Sequence, residues 1–115
     1  MNISVNGRLT LGENIADLGG LEVAFAAFTQ TQEAKENRLI NGFNAKERFF
    51  MSYARTWRIK FTEAQTLHSL KIDPHAPVKA RINGPLSNME SFYEVFRVKP
   101  GDGLFREPSK RVNIL

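Results

Sequence analysis

Phe50, Tyr53, Ala54, Trp57 and Phe61 stand at i, i+3, i+4, i+7 and i+11. A helix gathers all five onto one side, whereas a strand would scatter them over both faces. Large rings repeated along one helical stripe leave water only by packing against other elements, so this helix must lie in a multi-element body. Asn44 and Glu47, just ahead of the stripe, have the spacing of a capping box. Together these features predict a helix over about 45–60.

Ile15, Leu18, Leu21, Phe25 and Phe28 predict an earlier helix over about 11–35 with one broad apolar face. Gly19 and Gly20 inside it cost helix propensity and suggest close approach of another element. Asn41-Gly42 marks a turn within 37–44, and Thr62 with Gln65 opens a short helix over about 62–70. Asp73-Pro74-His75-Ala76-Pro77 cannot be regular helix, because each proline lacks an amide donor and crowds the residue before it. Val78, Ala80 and Ile82 then alternate with Lys79, Arg81 and Asn83, the pattern of a half-buried strand, and Gly84-Pro85 is expected to end it. Ser87 and Glu90 are read as the cap of a last helix over about 88–97 that buries Phe92, Val95 and Phe96. From Lys99 onward an extended tail is expected to lie over the body. The chain is thus expected to form one mainly α domain over 1–115, with four helices and one short extended segment at 78–83.

Composition narrows the function classes. There is no cysteine, which excludes disulfides and thiolate metal sites. No apolar run is long enough to cross a bilayer, and Met1 to Thr10 is too polar for the core of a secretion signal. The formal charge is +4, but the Lys and Arg residues are scattered and no RNA-binding aromatic signature accompanies them. A solvated basic surface fits this better than a nucleic-acid groove.

Two residues in the first predicted helix carry possible chemistry. Glu13 and Asp17 are four apart and point the same way from a helix, with Gly20 and Ala24 continuing the stripe. Against a metal and its histidine ligands, one carboxylate would coordinate and the other would accept a ligand's ring N–H. A plainer alternative is that Thr10 and Glu13 form a capping box and the acid merely satisfies the helix start. Spacing alone leaves both open.

The surrounding wording bears on that choice. Leu11-Gly12-Glu13-Asn14-Ile15-Ala16-Asp17-Leu18-Gly19-Gly20-Leu21 closely resembles the signature of the neprilysin family of zinc metalloendopeptidases. Phe49 to Ala54 with Trp57 resembles the family's next helix, which is mainly structural. His75-Ala76-Pro77, Arg81, Ile82-Asn83-Gly84 and Leu86-Ser87-Asn88 continue the resemblance, and Lys110-Arg111-Val112 resembles its C-terminal stretch. It implies the C-terminal helical part of a thermolysin-like catalytic domain that hydrolyses peptide bonds in oligopeptides. It implies Glu13 as a zinc ligand, Asp17 as the partner of a zinc-ligand histidine, His75 as stabiliser of the charged tetrahedral intermediate and Arg81 as the group holding a substrate backbone carbonyl.

One departure matters for activity. The family's His-Glu-x-x-His helix supplies two ligands and the general base, and here the only histidines are His68 and His75. His68 is read as a surface residue. The chain alone is therefore expected to hold no stoichiometric zinc and to be inactive. It would need the missing N-terminal portion of the peptidase domain, and it is expected to self-associate through the face built for that portion. A peptide is the expected substrate partner, and a bacterial source is expected, extracytoplasmic or cytoplasmic. The alternative is an inactive remnant serving as a helical assembly or binding module. A basic module for nucleic acid ranks third.

Overall fold

The computed structural model describes residues 3–115. The aromatic stripe belongs to a helix spanning Ala45–Thr56, third of six α-helices among the described residues and hence α3. The capping box forms in full. Asn44 Oδ1 accepts from the Glu47 amide at 2.9 Å, and Glu47 Oε2 accepts from the Asn44 amide at 2.9 Å. Trp57 ends the helix as its C-cap, so α3 stops earlier than expected, and Phe61 lies beyond it, exposed. Phe50 is its most buried residue. Its ring stacks on Phe25 at 4.9 Å between centroids and meets Phe92 edge-on at 5.5 Å.

The long first helix expected over 11–35 is two helices, α1 (Gly7–Thr29) and α2 (Gln32–Glu36). The break comes at Thr31, whose extended backbone and side-chain oxygen, accepting from the Ala34 amide at 3.2 Å, start a new helix. Asn37 closes α2 in the left-handed conformation at φ 47°. Asn41 and Gly42, at φ 51° and 84°, make the two-residue turn that pairs Ile40 with Phe43. On α1, Leu18 and Leu21 are buried but Ile15 is exposed, so the apolar face is narrower than expected. Close approach occurs at Gly19 alone. A Cβ there would sit 3.2 Å from Ile114 Cδ1 of the tail, whereas one on Gly20 would meet nothing.

The segment expected to be a strand at 78–83 is helix α5 (Val78–Leu86). Val78, Arg81, Ile82, Pro85 and Leu86 fall at i, i+3, i+4, i+7 and i+8, and all are buried or half-buried. Six alternating residues fit either period. Nine residues packed along α1 fit only the helical one. Pro77 stands at the N-cap, outside the helix proper, and Pro85 sits in the last turn, so neither breaks it. No strand occurs among the described residues.

Helix α4 (Glu63–Ile72) starts as expected, with the Thr62 hydroxyl accepting from the Gln65 amide at 3.1 Å, and it buries none of its residues. The expected Ser87–Glu90 cap does not form. Helix α6 (Glu90–Phe96) has Met89 at its N-cap with no side-chain capping bond, and Ser87 Oγ donates instead to Gly84 O at 2.8 Å. Phe92 and Tyr93 are the buried residues of α6, while Phe96 is exposed and Val95 half-buried. The tail lies over the body as expected, but it is not extended throughout, since it turns at residues 99–105 and forms a 3-10 helix at Pro108–Lys110. Arg111 stacks on the Tyr93 ring at 4.0 Å and reaches Glu90, while the Val112 amide donates to Asn88 Oδ1 at 2.8 Å.

Leu18, Leu21, Phe50, Leu86, Met89, Phe92 and Tyr93 form the core. The radius of gyration is 15.5 Å, against about 13 Å for a self-contained domain of this length. Leu11, Ile15 and Val23 on α1 stay exposed. The chain therefore leaves part of the apolar surface of α1 uncovered.

Candidate functional site

The helix that holds Glu13 and Asp17 begins earlier than its sequence suggested. Asn6 is the cap, its Oδ1 accepting from the Arg8 and Leu9 amides at 3.2 Å each. Thr10 lies inside the helix, where its hydroxyl donates to Asn6 O at 3.1 Å. Glu13 is therefore almost two turns past the helix start and satisfies no terminal amide. The capping alternative fails, because the first turn of α1 contains no acid at all.

Instead, both carboxylates face the Asp73–Leu86 segment. Asp17 accepts a two-point bond from Arg81, Nε to Oδ2 and Nη2 to Oδ1, each at 2.8 Å. The two side chains are only 13% and 16% exposed. The other face of the guanidinium covers the Trp57 ring, 3.8 Å from its centroid. The bond to Asp17 raises the Arg81 pKa further, so the guanidinium stays charged.

One turn earlier, Glu13 Oε2 lies 3.3 Å from His75 Nε2, and these side chains are 44% and 43% exposed. His75 is held from behind. Asp73 Oδ1 accepts from the His75 backbone amide and contacts ring Nδ1, both at 2.9 Å. The backbone bond first, then the ring contact, draws Asp73 below the usual carboxylate range. The four residues singled out from sequence thus form two adjacent acid–base pairs, Asp17–Arg81 between α1 and α5 and Glu13–His75 between α1 and the loop before α5.

Three further residues were not singled out for the site. Asp73 lies in a proline-rich loop, where its only local signal is that an Asp side chain can accept from the amide two residues on, here that of His75. Trp57 and Tyr53 were read as core, and nothing in a single helical stripe tells a ring beneath a guanidinium from a ring in a core. The Tyr53 hydroxyl donates to the Arg81 carbonyl at 2.6 Å. Pro85, four residues on from Arg81, has no N–H to give that carbonyl, and Tyr53 fills the place. Burial, then the charge of Asp17, raises the Tyr53 pKa, which keeps the phenol protonated and donating. His68 is exposed, as expected.

As for a metal, no group of three His, Cys, Asp or Glu side chains able to hold an ion occurs among the described residues. Glu13 fits as a single zinc ligand, since its half-exposed carboxylate has one long contact to a ring nitrogen. Asp17 does not fit as a ligand, because Arg81 engages both its oxygens.

Residues 1–112 match Peptidase family M13. The chain belongs to this family. It is 41% identical over 102 residues to neprilysin-3 of Drosophila melanogaster, covering 85% of this chain and 13% of that protein. It is 39% identical over 109 residues to a neutral endopeptidase of Lactococcus lactis, covering 95% of this chain and 16% of that one. Among solved structures, it superimposes on the zinc metalloprotease Zmp1 of Mycobacterium tuberculosis with a TM-score of 0.85 and 37% identity, over 96% of this chain and 17% of the other. The M13 chain therefore spans about one-seventh of the length of the curated relatives it matches. The helical fold and the metalloendopeptidase family expected from sequence both hold, and the extended segment at 78–83 does not.

Proposed function

We propose that this chain supplies one wall of the active site of a zinc metalloendopeptidase acting on oligopeptides. In this reading Glu13 is the third zinc ligand, and Asp17, His75 and Arg81 serve the surrounding chemistry. The observation that carries the reading is the pairing of Glu13 with His75 and of Asp17 with Arg81, one helical turn apart, by residues 62 and 64 positions distant in sequence. Zinc, when bound, supplies a Lewis acid that polarises a peptide carbonyl and acidifies water.

The residues of the chain then divide the remaining work. Glu13 would hold the metal, and His75 Nε2 would then be free to donate toward the oxygen that gains charge as a peptide carbonyl is attacked. Asp73 holds the other ring nitrogen and so fixes the direction of that donor. Arg81 spends two of its five N–H groups on Asp17 and keeps three, enough to grip a substrate backbone carbonyl. Asp17 has lone pairs left to accept a ring N–H from a ligating histidine elsewhere in the protein. The other two ligands and the general base come from another segment of polypeptide, since His68 and His75 lack the spacing of His-Glu-x-x-His.

The exposed α1 residues Leu11, Ile15 and Val23 belong, in this reading, to the surface that the rest of the peptidase covers. Alone, the chain then self-associates, which light scattering checks. The deciding experiment is zinc content in the assembled peptidase. Glu13→Gln should lose zinc, whereas His75→Ala should keep it and lower kcat by roughly 10²–10³. Full zinc in the Glu13 variant would overturn the proposal.

A further inference from the structure

Helix α5 has a gap in its backbone ladder, and the gap falls at Arg81. In an α-helix the carbonyl of residue 81 accepts from the amide of residue 85, but residue 85 is proline and has none. The donor comes from α3 instead, where the Tyr53 hydroxyl reaches the Arg81 carbonyl at 2.6 Å across 28 positions of sequence.

Tyr53 also reaches the other end of Arg81, through a second ring. It meets Trp57 edge-on, 6.4 Å between centroids, and the Trp57 centroid lies 3.8 Å from Arg81 Cζ. Asp17 takes two N–H groups of the same guanidinium. Arg81 is thus held at its root by the Tyr53 hydroxyl, at its tip by Asp17 and along the guanidinium face by Trp57. A long side chain loses rotamer freedom whenever it grips a ligand, and a root and tip fixed in advance remove part of that cost. An anchored carbonyl also fixes where the side chain starts, and so where the N–H groups left over from Asp17 point.

We propose that Tyr53 is a positioning residue: without touching substrate, it holds the Arg81 backbone so that the free N–H groups meet a peptide carbonyl. Pro85 creates the need for it, because any other residue there would supply the amide. The assignment rests on the peptidase reading above, but one arm of its test requires neither zinc nor cleavage.

Tyr53→Phe removes the hydroxyl and keeps the ring against Trp57, so it isolates the bond to the carbonyl. In the 115-residue chain, heteronuclear NMR follows exchange of the Arg81 Nε–H with water. Bonded to Asp17 and covered by the Trp57 ring, this proton should exchange slowly. Tyr53→Phe should speed the exchange roughly three- to tenfold, the range for loss of one neutral hydrogen bond. The backbone amides of Leu21 and Phe50, both in the core, should speed up less, because they report general unfolding. Adding Pro85→Ala gives the carbonyl an amide again and should return the Nε–H to the parent rate. In the assembled peptidase, Tyr53→Phe should raise KM for a peptide by a similar factor while zinc content and kcat hold, since the Arg81 contact acts on ground and transition states alike. Pro85→Ala should restore KM.

An Nε–H rate unchanged in Tyr53→Phe, or a gain that Leu21 and Phe50 match, overturns the role of Tyr53. So does a KM that Pro85→Ala fails to restore. Loosened Arg81 beside full zinc in Glu13→Gln overturns the peptidase reading and leaves Tyr53 holding Arg81. Unmoved Arg81 beside zinc loss in Glu13→Gln overturns the role of Tyr53 and leaves the peptidase reading standing.

Discussion

Two acid–base pairs sit one turn apart on α1, and they differ in almost every physical respect. Asp17–Arg81 is largely buried, joined at two points and backed by the Trp57 ring. Glu13–His75 is nearly half exposed and joined by one contact of 3.3 Å. A buried charge is costly when unpaired, so the inner pair ties α1 to α5 and resists separation. An exposed pair contributes little to stability, so the outer one can exchange partners at small cost. The inner pair fixes the geometry of the four residues, and the outer pair leaves Glu13 and His75 free to change partners.

The sharpest way to break this comparison is Asp17→Ala. It strands the Arg81 guanidinium and should cost about 2–3 kcal/mol in urea unfolding, less than for a fully buried pair because solvent reaches part of it. Adding Arg81→Met should recover at least half of the loss, since neither charge then lacks a partner. A loss below about 0.5 kcal/mol would mean the two pairs do not differ in kind. Under the proposed function, the same coupling should make Asp17 and Arg81 substitutions non-additive in both zinc affinity and substrate binding.

Tyr53→Phe probes the inner pair from the backbone side. It leaves the Arg81 carbonyl without its donor and should cost about 1 kcal/mol. In a Pro85→Ala background residue 85 regains an amide for that carbonyl, and the cost of Tyr53→Phe should shrink to a few tenths. An equal cost in both backgrounds would show that the hydroxyl does not replace the missing N–H.

For the outer pair, Glu13→Gln in the isolated chain should shift stability by no more than about 0.5 kcal/mol. A change above 1.5 kcal/mol would mean that Glu13 is a structural anchor and not a carboxylate available to a metal.

The smallest effect concerns pH. Asp73 is held below its usual carboxylate value of 3.8 by bonds from His75. A carboxylate depressed by folding stabilises above its unfolded value and loses that contribution as pH falls through its lower folded value. The chain should therefore lose a small increment of stability on acidification below about pH 4. His75→Ala should reduce that loss, because the ring contact goes while the backbone bond stays. An unchanged acid limb in His75→Ala would remove the ring from the account.

What the sequence by itself determined was local. The Asn44–Glu47 box, the start of α4 at Thr62 and the Asn41-Gly42 turn depend on residues within four positions of one another, and each forms as the spacing predicts. The eleven-residue run from Leu11 to Leu21 was enough to indicate the family. Tertiary structure decided the rest. Residues 78–83 alternate like a strand, yet packing on α1 selects the helical period that also seats Pro85 and Leu86. Glu13 resembled a cap until Asn6 took the helix start two turns earlier. The site arises only when Asp17 meets Arg81 across 64 residues, with Trp57 beneath the guanidinium and Tyr53 on the Arg81 carbonyl. Hydrogen-bonding patterns within a few residues follow from backbone geometry that neighbours share, so they are legible in order along the chain. Contacts between distant segments depend on which surfaces become buried together, and single-residue spacing does not encode that.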